Sequence, residues 1–273
     1  MNQAPQAQAT SGTQRILAEV EGGVGWITFN HPERRNAMSL DMWEGLGRVA
    51  RAFEGDASVR AVVLRGAGGR AFVSGADISE FEQHRADAAQ MAHYDAIAAQ
   101  GFAGLAALSK PLIAMIDGFC VGGGLAIALA ADVRFASAAS RFAIPAAKLG
   151  LGYDYRGVAV LARLVGPSAA KDILFSARFL ETPEALRLGL INFAADDAAQ
   201  LDQQVRRYAA QVAANAPLTV RAAKMALRTF ERYSDQAGED DVAPLVRQCF
   251  DSLDYREGRR AFLEKRTPIF QGL

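Results

Sequence analysis

The sequence predicts an α/β core followed by a helical C-terminal region. Short apolar runs, glycine-rich turns and helix-period stripes alternate through about residue 150, the pattern of strands and helices packed in layers. From residue 157 to 263 the pattern is almost entirely helical. No proline/serine-rich linker parts the halves. The helical part is therefore expected to pack on the core or on a neighbouring subunit rather than to form an independent domain. The expected organisation is a flexible tail over 1–14, an α/β core over 15–200 and a helical region over 201–273. A chain of 273 residues can bury a full core without disulfide or metal staples.

Residues 15–20 and 24–30 read as two strands joined by Glu21-Gly22-Gly23. Ser39 is a candidate N-cap for a helix with Met42, Leu46, Val49 and Phe53 at helical spacing. Residues 61–64 form a short apolar strand and 66–69 a glycine-rich turn. A strand then runs into Ser74-Gly75-Ala76, where Asp77, with Glu80 three positions on, has capping-box spacing. Residues 83–108 read as an Ala-rich helix, 112–116 as a strand, Asp117-Gly118 as a turn, 125–131 as a helix and 133–136 as a strand. Between Lys110 and Asp132 the only charge is Asp117. That length approaches a bilayer span, but Pro111, Asp117-Gly118 and Gly122-Gly123-Gly124 break it into strand, turn and helix.

Composition narrows the function. The 30 basic and 30 acidic residues cancel, so no electrostatic footprint points to nucleic acid or an anionic membrane. Cys120 and Cys249 form no CxxC or Cys/His cluster, which disfavours a zinc site and fits two core thiols in a reducing, cytoplasmic setting. The polar start shows neither an apolar core nor a basic amphipathic pattern, so no targeting signal is expected.

Two segments can carry chemistry. In Ser74-Gly75-Ala76-Asp77 small residues let a ligand approach the backbone at a helix start; an ordinary capped helix start reads the same way. In Asp117–Leu125 three successive glycines separate an apolar strand from an apolar helix. Such a run loses backbone entropy and calls for compensation by tight packing or by a ligand on bare N–H groups. Neither GxGxxG nor GxxxxGK[ST] is present, which disfavours a nucleotide phosphate cradle. Together the segments offer two backbone donors that can converge on one oxygen, an oxyanion hole.

In order and spacing, Asn36-Ala37-Met38, AFVSGADI (71–78), PLIAMIDGFCVGGGLAIALAAD (111–132), TPEALRLGLIN (182–192) and EGRRAFLEKR (257–266) resemble the crotonase, or enoyl-CoA hydratase/isomerase, superfamily over nearly the whole chain. The resemblance implies a crotonase-like spiral of repeated ββα units and a helical C-terminal oligomerisation region. It also implies homotrimers or hexamers and an acyl-CoA substrate, with coenzyme A part of the thioester and no separate cofactor or metal. Carried over by position, the oxyanion donors are the N–H groups of Ala76 and Gly123. The substrate-binding set is Arg35, Ala37, Gly75, Asp77, Ile78, Gly122, Tyr153, Phe262 and Lys265, with Arg34 or Arg35 near phosphates and Lys265 toward the nucleotide end.

The sequence departs from hydratases at both glutamate positions, which are Ala126 and Ala146. A methyl group cannot activate water. Asp154 stands instead where related dienoyl-CoA isomerases and 4-chlorobenzoyl-CoA dehalogenases carry an aspartate. It is a helix N-cap or a catalytic group; a carboxylate in an apolar acyl pocket is tuned toward proton transfer near neutral pH. The dehalogenase comparison is weakened by Ala103 and Ala146 where that group has histidine and tryptophan. His93 and His84 read as helix-surface residues and His31 as a turn residue. Tyr153 and Tyr155 flank the acid, and Arg156 can pair with it. The expected activity is isomerisation or atypical hydration by Asp154. The alternatives are hydrolase- or dehalogenase-type attack by Asp154, or a non-catalytic acyl-CoA binder.

Overall fold

In the computed structural model, which describes residues 11–77, 88–232 and 250–268, the chain winds between two sheets. β1 (Ile16–Glu21) and β2 (Val24–Phe29) form an antiparallel hairpin. β3 (Ala61–Gly66), β5 (Leu112–Ile116), β7 (Val133–Ser137) and β10 (Phe193–Ala195) extend it in parallel, giving a six-stranded sheet of order β1-β2-β3-β5-β7-β10. β4 (Ala71–Val73), β6 (Phe119–Val121), β8 (Arg141–Ala143) and β9 (Leu180–Glu181) form a second sheet in that order. Only the β8–β9 pair of this sheet is antiparallel.

The ββα unit follows from this alternation. After β3 and β4 comes α2 (Ala88–Ala107), and after β5 and β6 comes α3 (Gly123–Leu129). After β7, β8 and a 3-10 turn (Pro145–Lys148) comes α4 (Tyr155–Ser176). Each turn of the spiral adds one strand to each sheet. The chain therefore leaves β4, β6 and β8 side by side, and the three loops that follow share one end of the small sheet.

Alternation along the strands divides the core. Ile27, Phe29, Val62, Leu64, Leu112, Ala114 and Ala136 face one cluster with Phe72, Cys120 and Phe142 of the small sheet and with Met42, Leu46, Val49 and Phe53 of α1 (Leu40–Gly55). Trp26, Val63, Ile113 and Phe135 face a second cluster, covered by Leu201, Val205 and Ala209 of α6 (Ala198–Ala214). This is the period-2 partition of a sheet buried on both faces.

The described segments differ from the sequence expectations at several points. β6, β8, β9 and β10 lie outside the expected strands; strands of two or three residues are too short to show a period. β9 and β10, with the short α5 (Thr182–Arg187), interrupt the expected helical run. Ser39 sits at the N-cap of α1 with extended backbone, but its side chain makes no cap bond. Its hydroxyl donates to Asp41 and accepts from Arg15. α4 breaks at Gly166-Pro167, so its first half ends at Val165. Ser11 and Thr13, at the end of the expected tail, lie on α1: Arg48 donates to Ser11 O and Thr13 Oγ1 to Asp41. Ile78, Glu80, His84 and Cys249 fall outside the described residues.

The C-terminal helices continue with α7 (Pro217–Arg232) and α8 (Leu253–Leu263). Lys224 ties α7 to the core. Its ammonium donates to Asp132 Oδ2 (2.6 Å) and to Lys110 O (2.7 Å), while the Leu112 N–H donates to the same carboxylate oxygen. Burial lowers the Lys224 pKa and Asp132 pulls it back up.

Asn36 is a second tie, and it bears on the site. It is fully buried in a left-handed conformation (φ 56°), donates to Ala67 O and Ala71 O at 2.9 and 2.8 Å, and accepts from His31 N at 2.9 Å. Asn36→Ala strands three polar groups and places alanine where φ is positive. It is expected to lower stability by about 3 kcal/mol in urea unfolding. A loss under about 1 kcal/mol would show that the loop does not rely on this side chain.

Candidate active site

The loops after β4 and β6 run against each other. A Cβ on Gly124 would lie 2.0 Å from Val73 O, so only glycine fits there. A Cβ on Gly75 would lie 3.5 Å from Val121 O. A Cβ on Gly123 would meet nothing nearer than Trp43 Cζ2 at 3.9 Å and Gly75 C at 4.0 Å. The triple glycine thus resolves residue by residue. Gly124 serves packing, Gly122 a positive φ of 54°, and Gly123 neither, which leaves open space over its peptide.

Hydrogen bonds on the far sides of two peptides orient their N–H groups. Gly75 O accepts from Met38 N (2.8 Å), and the flanking Ser74 N and Asp77 N donate to Arg35 O and Met38 O. In a trans peptide C=O and N–H point oppositely, so the Ala76 N–H is turned away from Met38. Gly122 O accepts from Ala126 N (3.0 Å) as the first bond of α3. The Gly123 N–H therefore points out of the helix start, where no intrahelical acceptor exists. Among the described residues neither N–H has an acceptor. The carbonyl carbon of the Gly75–Ala76 peptide lies 4.0 Å from the Cβ position of Gly123. Two donors so placed can stabilise charge on one oxygen.

The floor beneath was not singled out in the sequence. Trp43 Nε1 donates to Tyr94 Oη (3.0 Å), and Tyr94 donates to Met38 O (3.3 Å). Both rings are buried. Trp43 belongs to the helical stripe of α1, and nothing in that stripe marks it out from core.

The loop after β8 brings the third element. Asp154 is the N-cap of α4: Oδ1 accepts from Gly157 N at 2.9 Å, and among the described residues Oδ2 has no hydrogen-bond partner. The carboxylate is exposed in the single chain. The half-buried Tyr153 ring packs on the first turn of α4, 2.8 Å from the Cβ position of Gly157. Burial, then the Asp154 carboxylate, then Cys120 push its phenol above the ordinary range. It stays a neutral donor, on the same side as β6, where burial likewise pushes up the Cys120 thiol. Ala146 is buried and Ala126 half-buried.

Arg35 is exposed with its guanidinium 5.3 Å over the Phe119 ring, and Ala37 is buried behind it. Arg35, Ala37, Gly75, Ala76, Asp77, Gly122 and Gly123 are thus brought together. Phe262 and Lys265 lie exposed at the end of α8, Lys265 at φ 53°, and no described contact joins them to the two amides. His93 is exposed; His31 is buried with Nε2 3.2 Å from Glu33. A concavity of about 360 Å³ lies on the other face of the large sheet, lined in part by Phe135, Phe193, Tyr208 and Arg207, and takes in none of these residues. Among the described residues no helix is long and apolar enough to cross a membrane.

The family model for enoyl-CoA hydratase/isomerase matches residues 19–272. The short-chain-enoyl-CoA hydratase of Clostridium acetobutylicum is 34% identical over 251 residues, 92% of this chain and 95% of that protein. A crystal structure of an enoyl-CoA hydratase/carnithine racemase from Magnetospirillum magneticum superposes with a TM-score of 0.79 at 35% identity, covering 97% of each chain. A methylmalonyl-CoA decarboxylase bound to 2-nitronate-propionyl-CoA superposes with a TM-score of 0.86 at 27% identity, covering 95% of this chain and 99% of that one. The spiral of ββα turns and these matches lead to one conclusion: the chain is an enzyme of the enoyl-CoA hydratase/isomerase family.

Proposed function

We propose that the enzyme processes an acyl-CoA thioester whose carbonyl oxygen accepts from the N–H groups of Ala76 and Gly123. The observation that carries the reading is the approach of the Gly75–Ala76 peptide to Gly123, with neither N–H group partnered among the described residues. Negative charge on the thioester oxygen acidifies the α-carbon and makes an enoyl β-carbon electrophilic. Arg35, Ala37, Gly75, Asp77 and Gly122 line the entry, with Phe262 and Lys265 toward the nucleotide end of coenzyme A; Ile78, expected among them, lies outside the described residues. The names of the short-chain-enoyl-CoA hydratase and of the methylmalonyl-CoA decarboxylase support that substrate class.

Asp154 is the proton carrier. One of its oxygens caps α4 and the other has no described partner, so capping and catalysis coexist in one carboxylate. In double-bond isomerisation Oδ2 takes a proton from one carbon, the enolate charge rests on the thioester oxygen, and the same proton returns at another carbon. Atypical hydration uses the same carboxylate on water. Tyr153, neutral beside it, donates to the acyl group or to the acid. Ala126 and Ala146, which offer no second acid, favour these single-carboxylate routes. Nucleophilic attack by Oδ2, the hydrolase- or dehalogenase-type alternative, passes through an aspartyl ester that mass spectrometry detects; proton transfer forms none.

Assembly into trimers or hexamers is proposed on the exposed apolar side chains of the C-terminal half: Leu218, Leu227 and Met225 of α7 are 78%, 63% and 53% exposed. Leu218 and Met225, seven residues and so about two turns apart, share one face of the helix and mark a surface for burial. Sedimentation equilibrium is expected to give a mass at least three times the 29.2 kDa of the chain; a monomer overturns the assignment.

Two substitutions test the chemistry. Asp154→Asn keeps the cap geometry, because an amide oxygen also accepts from Gly157 N. It is expected to retain acyl-CoA binding while turnover of enoyl-CoA thioesters falls at least about a hundredfold. Unchanged turnover defeats the assignment. Gly123→Pro deletes one donor at the first residue of a helix, where proline is favoured. Turnover is expected to fall about 10²–10³-fold with the unfolding temperature nearly unchanged; wild-type turnover in this variant removes Gly123 from the hole.

A further inference from the structure

The EGRRAFLEKR segment holds more than the two exposed residues expected to meet coenzyme A. Its helix, α8, is capped by Ser252, whose hydroxyl accepts from Tyr255 N at 3.0 Å. It is closed at the far end by Glu257, which receives two bonds from Arg266 at 2.5 and 2.9 Å. Tyr255, Gly258 and Ala261 form its buried face. That face lies directly on the backbone of the loop that leads to Asp154. A Cβ on Gly258 would lie 2.4 Å from Leu149 O and 2.5 Å from Leu149 C. From the other side, a Cβ on Gly150, at φ 66°, would lie 2.7 Å from Asp254 O and 2.9 Å from Tyr255 N. Every near atom is main chain, so a rotamer change cannot relieve the contact.

We propose that this glycine-on-backbone seat, Gly258 of α8 against Leu149-Gly150, positions Tyr153 and Asp154, making Gly258 a positioning residue for the acid. The inference rests on the proton-transfer reading of Asp154 only for its effect on turnover, not for its effect on the loop. The geometry is continuous. Leu149 N and Leu151 N both donate to Ala146 O at 3.0 Å, which ties the loop to the 3-10 turn that follows β8. α8 bounds its other side. Asp154, four residues after Gly150, then caps α4. A loop held from both sides has one path to the cap, whereas a loop displaced by a methyl group must find another. Because α8 also carries Phe262 and Lys265, one rigid element spans from the residues proposed to meet the nucleotide end to the loop that carries the acid.

The test uses full-length Gly258→Ala, with Gly55→Ala as control, since a Cβ at Gly55 meets nothing within 4 Å. Hydrogen exchange is read at the Gly157 amide, which bonds Asp154 Oδ1, and at the Gln200 amide, which bonds Asp197 Oδ1 in the equivalent cap of α6. Gly258→Ala is expected to speed exchange at Gly157 about tenfold or more and to leave Gln200 unchanged; Gly55→Ala changes neither. With crotonyl-CoA as substrate, kcat is expected to fall at least about tenfold with KM within about threefold. Equal acceleration at both amides, or at neither, overturns the proposal. If Gly258→Ala does not accumulate as folded protein, Ser252→Ala loosens the same helix through its cap and must give the same selective exchange. Should Asp154→Asn keep wild-type turnover while Gly157 exchange still responds to Gly258, the proton-transfer reading fails and the seat stands.

Discussion

The first turn of α3 lies so close on the end of β4 that a single methyl group between Gly124 and Val73 would part them. The candidate site depends on this contact. It brings the start of α3 onto the end of β4, and with it the Gly123 peptide onto the Gly75–Ala76 peptide. The carbonyls of those two peptides are engaged on their far sides, by Met38 N and Ala126 N, so the directions of their N–H groups follow without any side chain. Leaving two N–H groups unpaired in a core would be costly, about 1–3 kcal/mol each. Ala76 and Gly123 are only half-buried, so water can satisfy them until a ligand displaces it. A pre-aimed pair of donors is thereby held at small expense to the fold.

Much of this was legible in the residues, and the illegible part has a physical pattern. The central strand over 112–116 was readable to the residue because a buried parallel strand is continuously apolar and its ends are marked by Pro111 and Asp117-Gly118. The helix after it was read as starting at Leu125, yet α3 begins at Gly123. Local propensity argues against glycine in a first turn, and the tertiary contact with Val73 overrides it. β8, β9 and β10 carry no local signature; they exist because a neighbouring strand offers an edge. The convergence of the two donor segments was suggested by composition, but their adjacency comes from strand order, β4 beside β6, which no local window contains. In the sequence Asn36 stands out only as part of a motif. Its function is to join His31 to Ala67 and Ala71, and that partnership appears only once β3 and β4 are folded.

Asp154 shows why residue type and position alone left two readings open. Helix capping and proton transfer both need a short carboxylate at the head of a helix. Capping uses one oxygen, the one nearest the first turn. The other, Oδ2, has no hydrogen-bond partner among the described residues. Fixing Oδ1 to Gly157 N restricts where Oδ2 can go, so the cap supplies the orientation that the proposed proton transfer needs. Tyr153, packed on the same first turn, adds a phenol that stays protonated, and hence a donor with a fixed bearing next to an acceptor with a fixed bearing.

The C-terminal motif extends the same logic from side chains to whole elements. Glu257 and Arg266 close the end of α8 on itself, Ser252 caps its start, and Gly258 sets its distance from the loop before Asp154. None of these residues has to touch substrate for the motif to matter, because a helix stiffened at both ends transmits its position as a rigid body. The first-turn contacts of α3 with β4 and of α8 with the Leu149-Gly150 strap are of one kind: glycine against main chain, with no rotamer to absorb error. Close-packed backbone is less compliant than any side-chain contact. Reacting groups that must meet within a few tenths of an ångström are therefore best set by such contacts. On this argument the glycines of the two motifs, rather than the charged residues between them, carry the geometric precision of the site.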